Sequence, residues 1–281
     1  MKKTIFTVLC VLGVGLTACT SDEEISVAKE DTTVTLAFEG IKFDMQPMGT
    51  RATIAESASR LDVWVYENDS EVEAVHQTSS DSGFGTVSLT LNNTKTYTLY
   101  ALAHKATTAC TLADGIISFP DDKPKESFFY TTTFSPATTT SINAEMSRIT
   151  GKFTMSTTDA IPDNVDHVQF VIRNTALRYG VEGELSNITD RTVDFPSISR
   201  KADDTCSFSF NILSTANAAT NFEITATAYA ADNSVIETKT FADVPIRNGY
   251  RTTYTGAFFT TSAFSMTFTC ADWHDYDTVT F

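Results

Sequence analysis

The stretch that decides the fold is Val87-Ser-Leu-Thr-Leu91, which leads through Asn92-Asn93 into Tyr97-Thr-Leu-Tyr-Ala-Leu-Ala103. In the first run apolar and polar residues alternate, which is typical of a β-strand with one buried face. The asparagine pair favours a tight turn, because asparagine tolerates left-handed backbone conformations. We therefore expect two strands that pair as a β-hairpin.

The same strand pattern recurs on both sides of this stretch. Leu61-Asp-Val-Trp-Val-Tyr66 is apolar on both faces, which favours a central strand. Short helices fit only near residues 57–60 and 215–219, and residues 179–204 form a long polar region. Apolar residues alternate again at Val168, Phe170 and Ile172, at Phe208, Phe210 and Ile212, and at Phe222, Ile224, Ala226 and Ala228. Many short strands separated by turns predict an all-β protein of β-sandwich architecture.

The beginning of the chain has the features of an export signal. Lys2 and Lys3 are followed by an apolar run from Ile5 to Leu16, which is shorter than the roughly 20 residues of a membrane-spanning helix. Leu16-Thr-Ala-Cys19 then places small residues before a cysteine. This pattern predicts a lipoprotein signal peptide over residues 1–18, cleavage before Cys19 and acylation of the Cys19 sulfur. Residues 19–31 form an acidic tether.

A long strand with a predicted cut behind it follows the tether. Val34, Leu36 and Phe38 alternate on even positions, whereas Ile41, Phe43 and Met45 alternate on odd ones, so Gly40 marks a bulge or bend. Arg51 and Ala52 then offer a trypsin-like processing site, although Arg51 is equally compatible with a plain surface arginine in a loop. A cut there would remove the lipid and the first strand together. The neighbours of that strand would become open edges, which a strand from another copy can fill.

Length and charge restrict the classes of function. The 281 residues suffice for two domains, for which we predict residues 32–147 and 148–281, each a β-sandwich with the boundary near Ser147. The formal charge is −15, and residues 1–18 remove two lysines and no acid, so the chain from Cys19 carries −17. Nucleic acid is thereby disfavoured as a partner, and membrane attachment is expected through the lipid alone.

Catalytic and metal-binding patterns are missing from the sequence. His76, His104, His167 and His274 have no zinc-ligand spacing, and no nucleophile elbow, Walker loop or GxGxxG occurs. We therefore predict no enzyme, no catalytic residue, no metal and no cofactor. The polar segment from Asp272 to Asp277 is interpreted as a solvated terminal strand in which Trp273 packs inward. Cys110, Cys206 and Cys270 are interpreted as small buried residues without a disulfide framework, and Trp64 as a core residue rather than a sugar-stacking one.

The order of several segments resembles that of a known family. These are Leu16–Cys19, the first strand with Thr50-Arg51-Ala52, Leu61–Glu67, Tyr97–His104, Ile142-Asn-Ala-Glu-Met-Ser-Arg-Ile-Thr-Gly-Lys-Phe153, Val244–Gly256 and Phe268–Trp273. From Cys19 to Phe281 the chain resembles the fimbrial subunits of Bacteroidales-type pili, which include major fimbrillins, tip subunits and anchor subunits.

The resemblance implies two transthyretin-like β-sandwich domains and a place at the outer membrane or in a surface fimbrium. It implies other fimbrial subunits as partners, joined by strand donation after a cut behind an arginine, whereas anchor subunits keep the lipid. A donor strand would come from Asp275–Phe281 or from a rearranged closing strand. Two other functions stay open: a surface glycan-binding lipoprotein that never polymerises, and an adhesin for host protein. Asp31-Thr32-Thr33 and Asp277-Thr278-Val279 resemble O-glycosylation acceptors of related bacteria.

Overall fold

The computed structural model describes the backbone of residues 31–42, 53–215, 218–260 and 266–272, and the side chains of residues 31–38, 53–215 and 218–260. Within these ranges the chain forms seventeen strands, one α-helical turn and one 3₁₀ turn. The predicted all-β fold class is therefore confirmed. Among the described residues, no helix is long and apolar enough to cross a membrane.

Eleven elements lie in the first half of the chain. They are β1 (Asp31–Lys42), α1 (Ile54–Ser57), β2 (Arg60–Glu67), β3 (Ser70–Thr78), β4 (Thr86–Asn92), β5 (Tyr97–His104), β6 (Thr111–Ala113), β7 (Ile116–Ser118), the 3₁₀ turn (Pro120–Asp122), β8 (Ser127–Phe134) and β9 (Ser141–Arg148). The second half contains β10 (Thr150–Thr157), β11 (His167–Gly180), β12 (Leu185–Phe195), β13 (Ser207–Leu213), β14 (Thr220–Tyr229), β15 (Val235–Ile246), β16 (Tyr250–Gly256) and β17 (Met266–Asp272).

Seven strands of the first half form one sheet in the order β3-β2-β5-β8-β9-β1-β4. Only two residue pairs, Phe128 with Arg148 and Phe129 with Ser147, join β8 to β9. The sheet turns at this short junction, and strands from both sides of it contribute side chains to a single core. The first half is thus a sandwich made by folding one sheet over itself.

Two sheets enclose the core of the second half. One has the order β13-β10-β16-β17, and the other has the order β15-β14-β11-β7-β6, with β12 paired along the remaining side of β11. Phenylalanines dominate this core, where the Phe153 ring lies 5.1 Å from Phe210 and 6.0 Å from Phe170. Alternation of these apolar residues in the sequence therefore predicted the inward faces correctly.

The hairpin predicted from residues 87–103 is wrong. Both segments are strands, but β4 pairs with β1, whereas β5 pairs with β2 and β8. Between them Asn92 turns the chain: its side-chain oxygen accepts the Thr94 N–H at 2.9 Å, and its own N–H donates to the Tyr97 hydroxyl at 3.2 Å. β5 is mostly buried, and a place inside the sheet between β2 and β8 suits a strand that is apolar on both faces.

Other local predictions have mixed outcomes. The turn at Asn68-Asp69 joins the paired strands β2 and β3, and β14 and β15 pair as expected. The first short helix lies at residues 54–57, slightly before its predicted position. The long polar region contains the missed strand β12, whose polar outer face hides the strand pattern. Cys110, Cys206 and Trp64 are buried, and both of these cysteines are unpaired.

The two halves share buried contacts. The β6–β7 hairpin belongs to the first half, yet β7 pairs with residues 178–180 of β11. A third cluster joins Trp64, Leu102 and Phe129 to Ala176 and Leu213. The domain boundary near Ser147 stays a prediction, and β7 crosses it to complete a sheet of the second half.

Candidate assembly site

The predicted site residues fall on parts of the chain outside the described ranges. Cys19, Arg51 and Ala52 lie outside them, as do Trp273 to Asp277 and the second glycosylation pattern at Asp277. The described neighbours of the predicted cut are β1 before it and α1 after it. The candidate site is therefore built from β1, the strands beside it and the segments that would remain after its removal.

β1 occupies an interior position in the first sheet. It runs antiparallel to β4, from Asp31 opposite Asn92 to Ala37 opposite Thr86. On its other side it runs parallel to β9, from Thr35 opposite Ser141. An interior strand satisfies backbone groups of two neighbours, so its loss would leave two unpaired edges facing each other.

The register beside Gly40 confirms the predicted irregularity. Ala37 pairs with Asn143, but Gly40 pairs with Glu145, so β1 contains one residue more than β9 across this interval. At such a bulge, the alternation of inward and outward side chains along the strand shifts by one residue. This matches the change from even to odd apolar positions in the sequence.

The side chains of β1 form part of the first core. Val34, Leu36 and Phe38 are 0%, 0% and 2% exposed. Burial of each such side chain contributes about 1.5–3 kcal/mol, or roughly 5–9 kcal/mol for the three as an upper estimate. That is comparable to the about 5–15 kcal/mol that stabilises a whole domain. A first half without β1 would therefore need a replacement strand.

The segment after the predicted cut has contacts of its own. The Thr53 N–H donates to the Glu56 carboxylate at 2.9 Å, and the Ala58 N–H donates to the Ile54 carbonyl at 2.8 Å. Ile54 is buried in the first core, close to Gly85, where an added Cβ would meet Ile54 at 2.7 Å. The two backbone bonds lie within the segment itself and would persist in a chain that begins at Ala52, whereas α1 also packs against β1, so a replacement strand would have to restore that contact.

The closing strand β17 lies at the edge of its sheet and pairs with β16. The segment that leads towards it is fixed by one side chain. The Asp159 carboxylate accepts the N–H groups of Phe258, Phe259 and Thr260 at 2.8, 2.7 and 2.9 Å. Phe258 and Phe259 are themselves buried. The approach to the closing strand is thus held independently of the strand itself.

Sequence analysis missed a buried polar cluster in the first half. Asp62 is fully buried, and its carboxylate contacts His76 Nδ1 at 2.9 Å, His104 Nε2 at 2.8 Å and the Cys110 N–H at 2.7 Å. Ala106 N–H donates to His104 Nδ1 at 3.2 Å, so His104 is assigned the tautomer with its proton on Nε2. Asp62 lies opposite His76 where β2 pairs with β3. This relation could indicate the cluster, but it appears only once the strand register is known.

The chemistry of this cluster is structural. Burial by itself raises the pKa of Asp62, but hydrogen bonds from His104, Cys110 and His76 outweigh that effect and hold the pKa below its usual value. Burial also raises the pKa of the Cys110 thiol far above its usual range, which makes it a poor nucleophile. Asp62, His104 and Cys110 offer three potential metal ligands within 4.8 Å. Their polar atoms bond to one another and to the backbone. The cluster therefore acts as a hydrogen-bonded support of the first sheet.

The fold and this geometry define an all-β protein whose cores lie between paired strands. The model of one protein family, described as "Fimbrillin-A associated anchor proteins Mfa1 and Mfa2", matches residues 23–256. The chain belongs to this fimbrial family. The resemblance inferred from the sequence is thereby confirmed, and a cell-surface, adhesive fimbrial role follows from it.

Solved structures show the same fold at low identity. A candidate adhesin from Bacteroides thetaiotaomicron has a TM-score of 0.54 and 11% identity, covering 87% of this chain and 97% of that one. A candidate adhesin from Bacteroides ovatus has a TM-score of 0.55 and 11% identity, covering 85% and 95%. A candidate polysaccharide-binding protein from B. thetaiotaomicron has a TM-score of 0.55 and 10% identity, covering 80% and 92%. A comparison with curated proteins gives no match to this sequence.

Proposed function

We propose that this chain is a structural and adhesive fimbrial subunit that reaches the cell surface as a lipoprotein acylated on Cys19. A trypsin-like protease then cuts after Arg51, and a strand from another fimbrial subunit takes the place of β1. The observation that carries this proposal is the position of β1. It is an interior strand with three buried side chains, and it precedes the predicted cut in the chain.

The segment behind the cut has backbone bonds of its own, from Thr53 to Glu56 and from Ala58 to Ile54. A replacement strand would also restore the packing around Ile54 that β1 provides. The open position would be apolar and bordered by the backbone groups of β4 and β9. An incoming strand gains both main-chain hydrogen bonds and side-chain burial in such a position.

Two substitutions at Arg51 test the proposal in the native cell envelope. In Arg51→Ala the cut is lost, and the subunit should run as a monomer that retains residues 19–51. Arg51→Lys is the matched control, because trypsin-like enzymes also accept lysine, and it should still be cut and still form oligomers. Ladders of oligomers in Arg51→Ala, seen by mild electrophoresis without boiling, would sink the proposal.

A second candidate function is a fimbrial anchor that keeps its lipid and its first strand. The description of the family as anchor proteins favours it. In that case β1 stays in the core as a permanent strand, and the tether joins the first sandwich to the outer membrane. The two candidates predict different N-termini for the protein recovered from cells, at Ala52 for the processed subunit and at acylated Cys19 for the anchor.

A further inference from the structure

A row of aromatic rings lies on the outer face of the first sheet, where the two halves meet. The ring centroids of Tyr66 and Tyr100 are 5.6 Å apart, those of Tyr100 and Phe129 are 6.4 Å apart, and those of Phe129 and Tyr179 are 5.4 Å apart. Phe129 is buried in the cluster that joins the halves. The three tyrosines pack against that cluster and are only half-buried.

Turns from both halves surround these tyrosines. Asp69 and Glu71 lie at the β2–β3 turn, Asp114 lies at the β6–β7 turn, and Glu182 and Glu184 lie at the β11–β12 turn. The last two turns touch, because the Val181 N–H donates to the Gly115 carbonyl at 2.9 Å. All five carboxylates are exposed. Together with Tyr66, Tyr100 and Tyr179 they form what we name the tyrosine–carboxylate surface.

The charges around the tyrosines have one sign. The Tyr66 hydroxyl lies 3.5 Å from the Glu71 carboxylate. Burial raises the pKa of Tyr66 and Tyr100, and it is reinforced by Glu71 and Asp114 at Tyr66 and by Glu182 and Asp69 at Tyr100. Burial likewise raises the pKa of Tyr179, with Glu184 adding to it. The ionised groups that add to burial at the three hydroxyls are therefore carboxylates, and their negative charge favours a cationic partner at this surface.

We propose that the tyrosine–carboxylate surface binds a lysine or arginine side chain of a partner protein. An aromatic face attracts a cation, and exposed carboxylates on three separate turns add charge complementarity and hydrogen-bond acceptors. The guanidinium of arginine suits both, since it stacks on rings and pairs with carboxylates. This contact lies on the opposite face of the first sheet from the buried side chains of β1, so it does not depend on strand exchange.

Calorimetric titration of the chain from Cys19 with acetylated hexa-arginine amide tests this proposal. Hexa-citrulline of equal length is the neutral control peptide. The Asp114→Asn/Glu182→Gln variant should weaken hexa-arginine binding by about tenfold, because each exposed carboxylate attracts a nearby cation even in water. Asn suits the left-handed backbone of residue 114, where φ is 51°. Asp163→Asn/Asp166→Asn, at the loop before β11, removes the same charge elsewhere and should change the affinity less than twofold.

Three results would overturn the proposal. Equal weakening by both charge variants would mean that only the net charge attracts the peptide. Equal binding of hexa-citrulline would exclude a role for the cation. Binding of a neutral glucan that is lost in Tyr66→Leu/Tyr100→Leu but kept in Asp114→Asn/Glu182→Gln would identify a glycan surface instead. Circular dichroism of the tyrosine variant shows whether its fold is retained, and the charge variants decide the matter if it is not.

Discussion

Asp62 shows how much a single buried carboxylate can organise. Its two oxygens connect β2, β3, β5 and the loop before β6 through His76, His104 and the Cys110 backbone. A charge without solvent access is tolerated only where hydrogen bonds replace water, and all three contacts do so. The cluster supports the sheet that carries the tyrosine–carboxylate surface on one side.

Replacement of this carboxylate should be costly and pH-dependent. Asp62→Asn should lower the free energy of unfolding at pH 7 by about 2–4 kcal/mol, because the amide cannot accept all three hydrogen bonds. Since the folded pKa of Asp62 is lowered, its contribution is present above the unfolded value near 3.9 and is lost as the pH falls below it. The difference between the two proteins should therefore shrink towards pH 2, as measured by denaturant unfolding.

The matched control for this measurement is Asp232→Asn. Asp232 is exposed, and among the described residues its side chain bonds to Ser234 within its own turn, so its replacement should cost less than about 1 kcal/mol at pH 7. A loss as large as that of Asp62→Asn, or a pH-independent loss at Asp62, would contradict the assigned role.

At the residue scale, sequence reasoning found core residues but not this cluster. Trp64, Cys110 and Cys206 were placed correctly because apolar alternation reports on burial. Asp62, His76 and His104 are far apart in the sequence and carry no spacing motif. They converge only through the pairing of β2 with β3 and with β5, which depends on the whole sheet.

Among the elements, β1 and β17 are the two strands that the proposed assembly involves, and each is held differently. β1 is fixed by two neighbours and by core side chains, whereas β17 pairs with β16 at a sheet edge. The segment before β17 depends on the Asp159 carboxylate. If the closing strand serves as the donor in assembly, the chain should stay attached to its own subunit as far as residues 258–260.

Asp159→Ala should release that segment. Loss of three hydrogen bonds to a carboxylate should speed hydrogen exchange of the Phe258, Phe259 and Thr260 amides by about tenfold or more. Asp203→Ala is the control: within the described part of the chain the Asp203 side chain bonds to the nearby Thr205, so this substitution should leave those amides unchanged. Unaltered exchange in Asp159→Ala would show that burial of Phe258 and Phe259 alone holds the segment.

Element types were more predictable than element pairing. The strand at Val87–Leu91 was found because its apolar and polar residues alternate. β12 was missed because it is exposed and polar along most of its length. The predicted hairpin failed for a different reason. Local turn chemistry permits a hairpin at Asn92, but burial of β5 on both faces requires partners from elsewhere in the chain.

At the scale of the whole molecule, the described contacts tie the two halves together. The β6–β7 hairpin extends a sheet of the second half, and Phe129 from the first half packs with Leu213 from the second. The hairpin could not be predicted from the sequence, because three-residue strands leave almost no periodic pattern. The contact of Phe129 with Leu213 could not be predicted either, because it joins residues far apart in the chain. Separation of the halves would expose this shared apolar surface to water, so the halves resist separation together.

Calorimetric unfolding should therefore give a single transition for both halves. Phe129→Ala should lower the stability of the entire molecule by about 3–5 kcal/mol, because a large buried ring is lost from the cluster between the halves. Phe84→Ala, a partly buried ring beside the first core, is the milder comparison. Two separate transitions in the unsubstituted protein would show that the halves unfold independently.

The intact mass of the protein recovered from its native cell envelope, with N-terminal peptide mapping, separates a processed subunit from an anchor. A processed, polymerising subunit should begin at Ala52 and should have lost Cys19, the lipid and β1. A chain that begins at acylated Cys19 and retains residues 31–42 would contradict it, and would leave β1 as a permanent core strand of a lipid-held anchor.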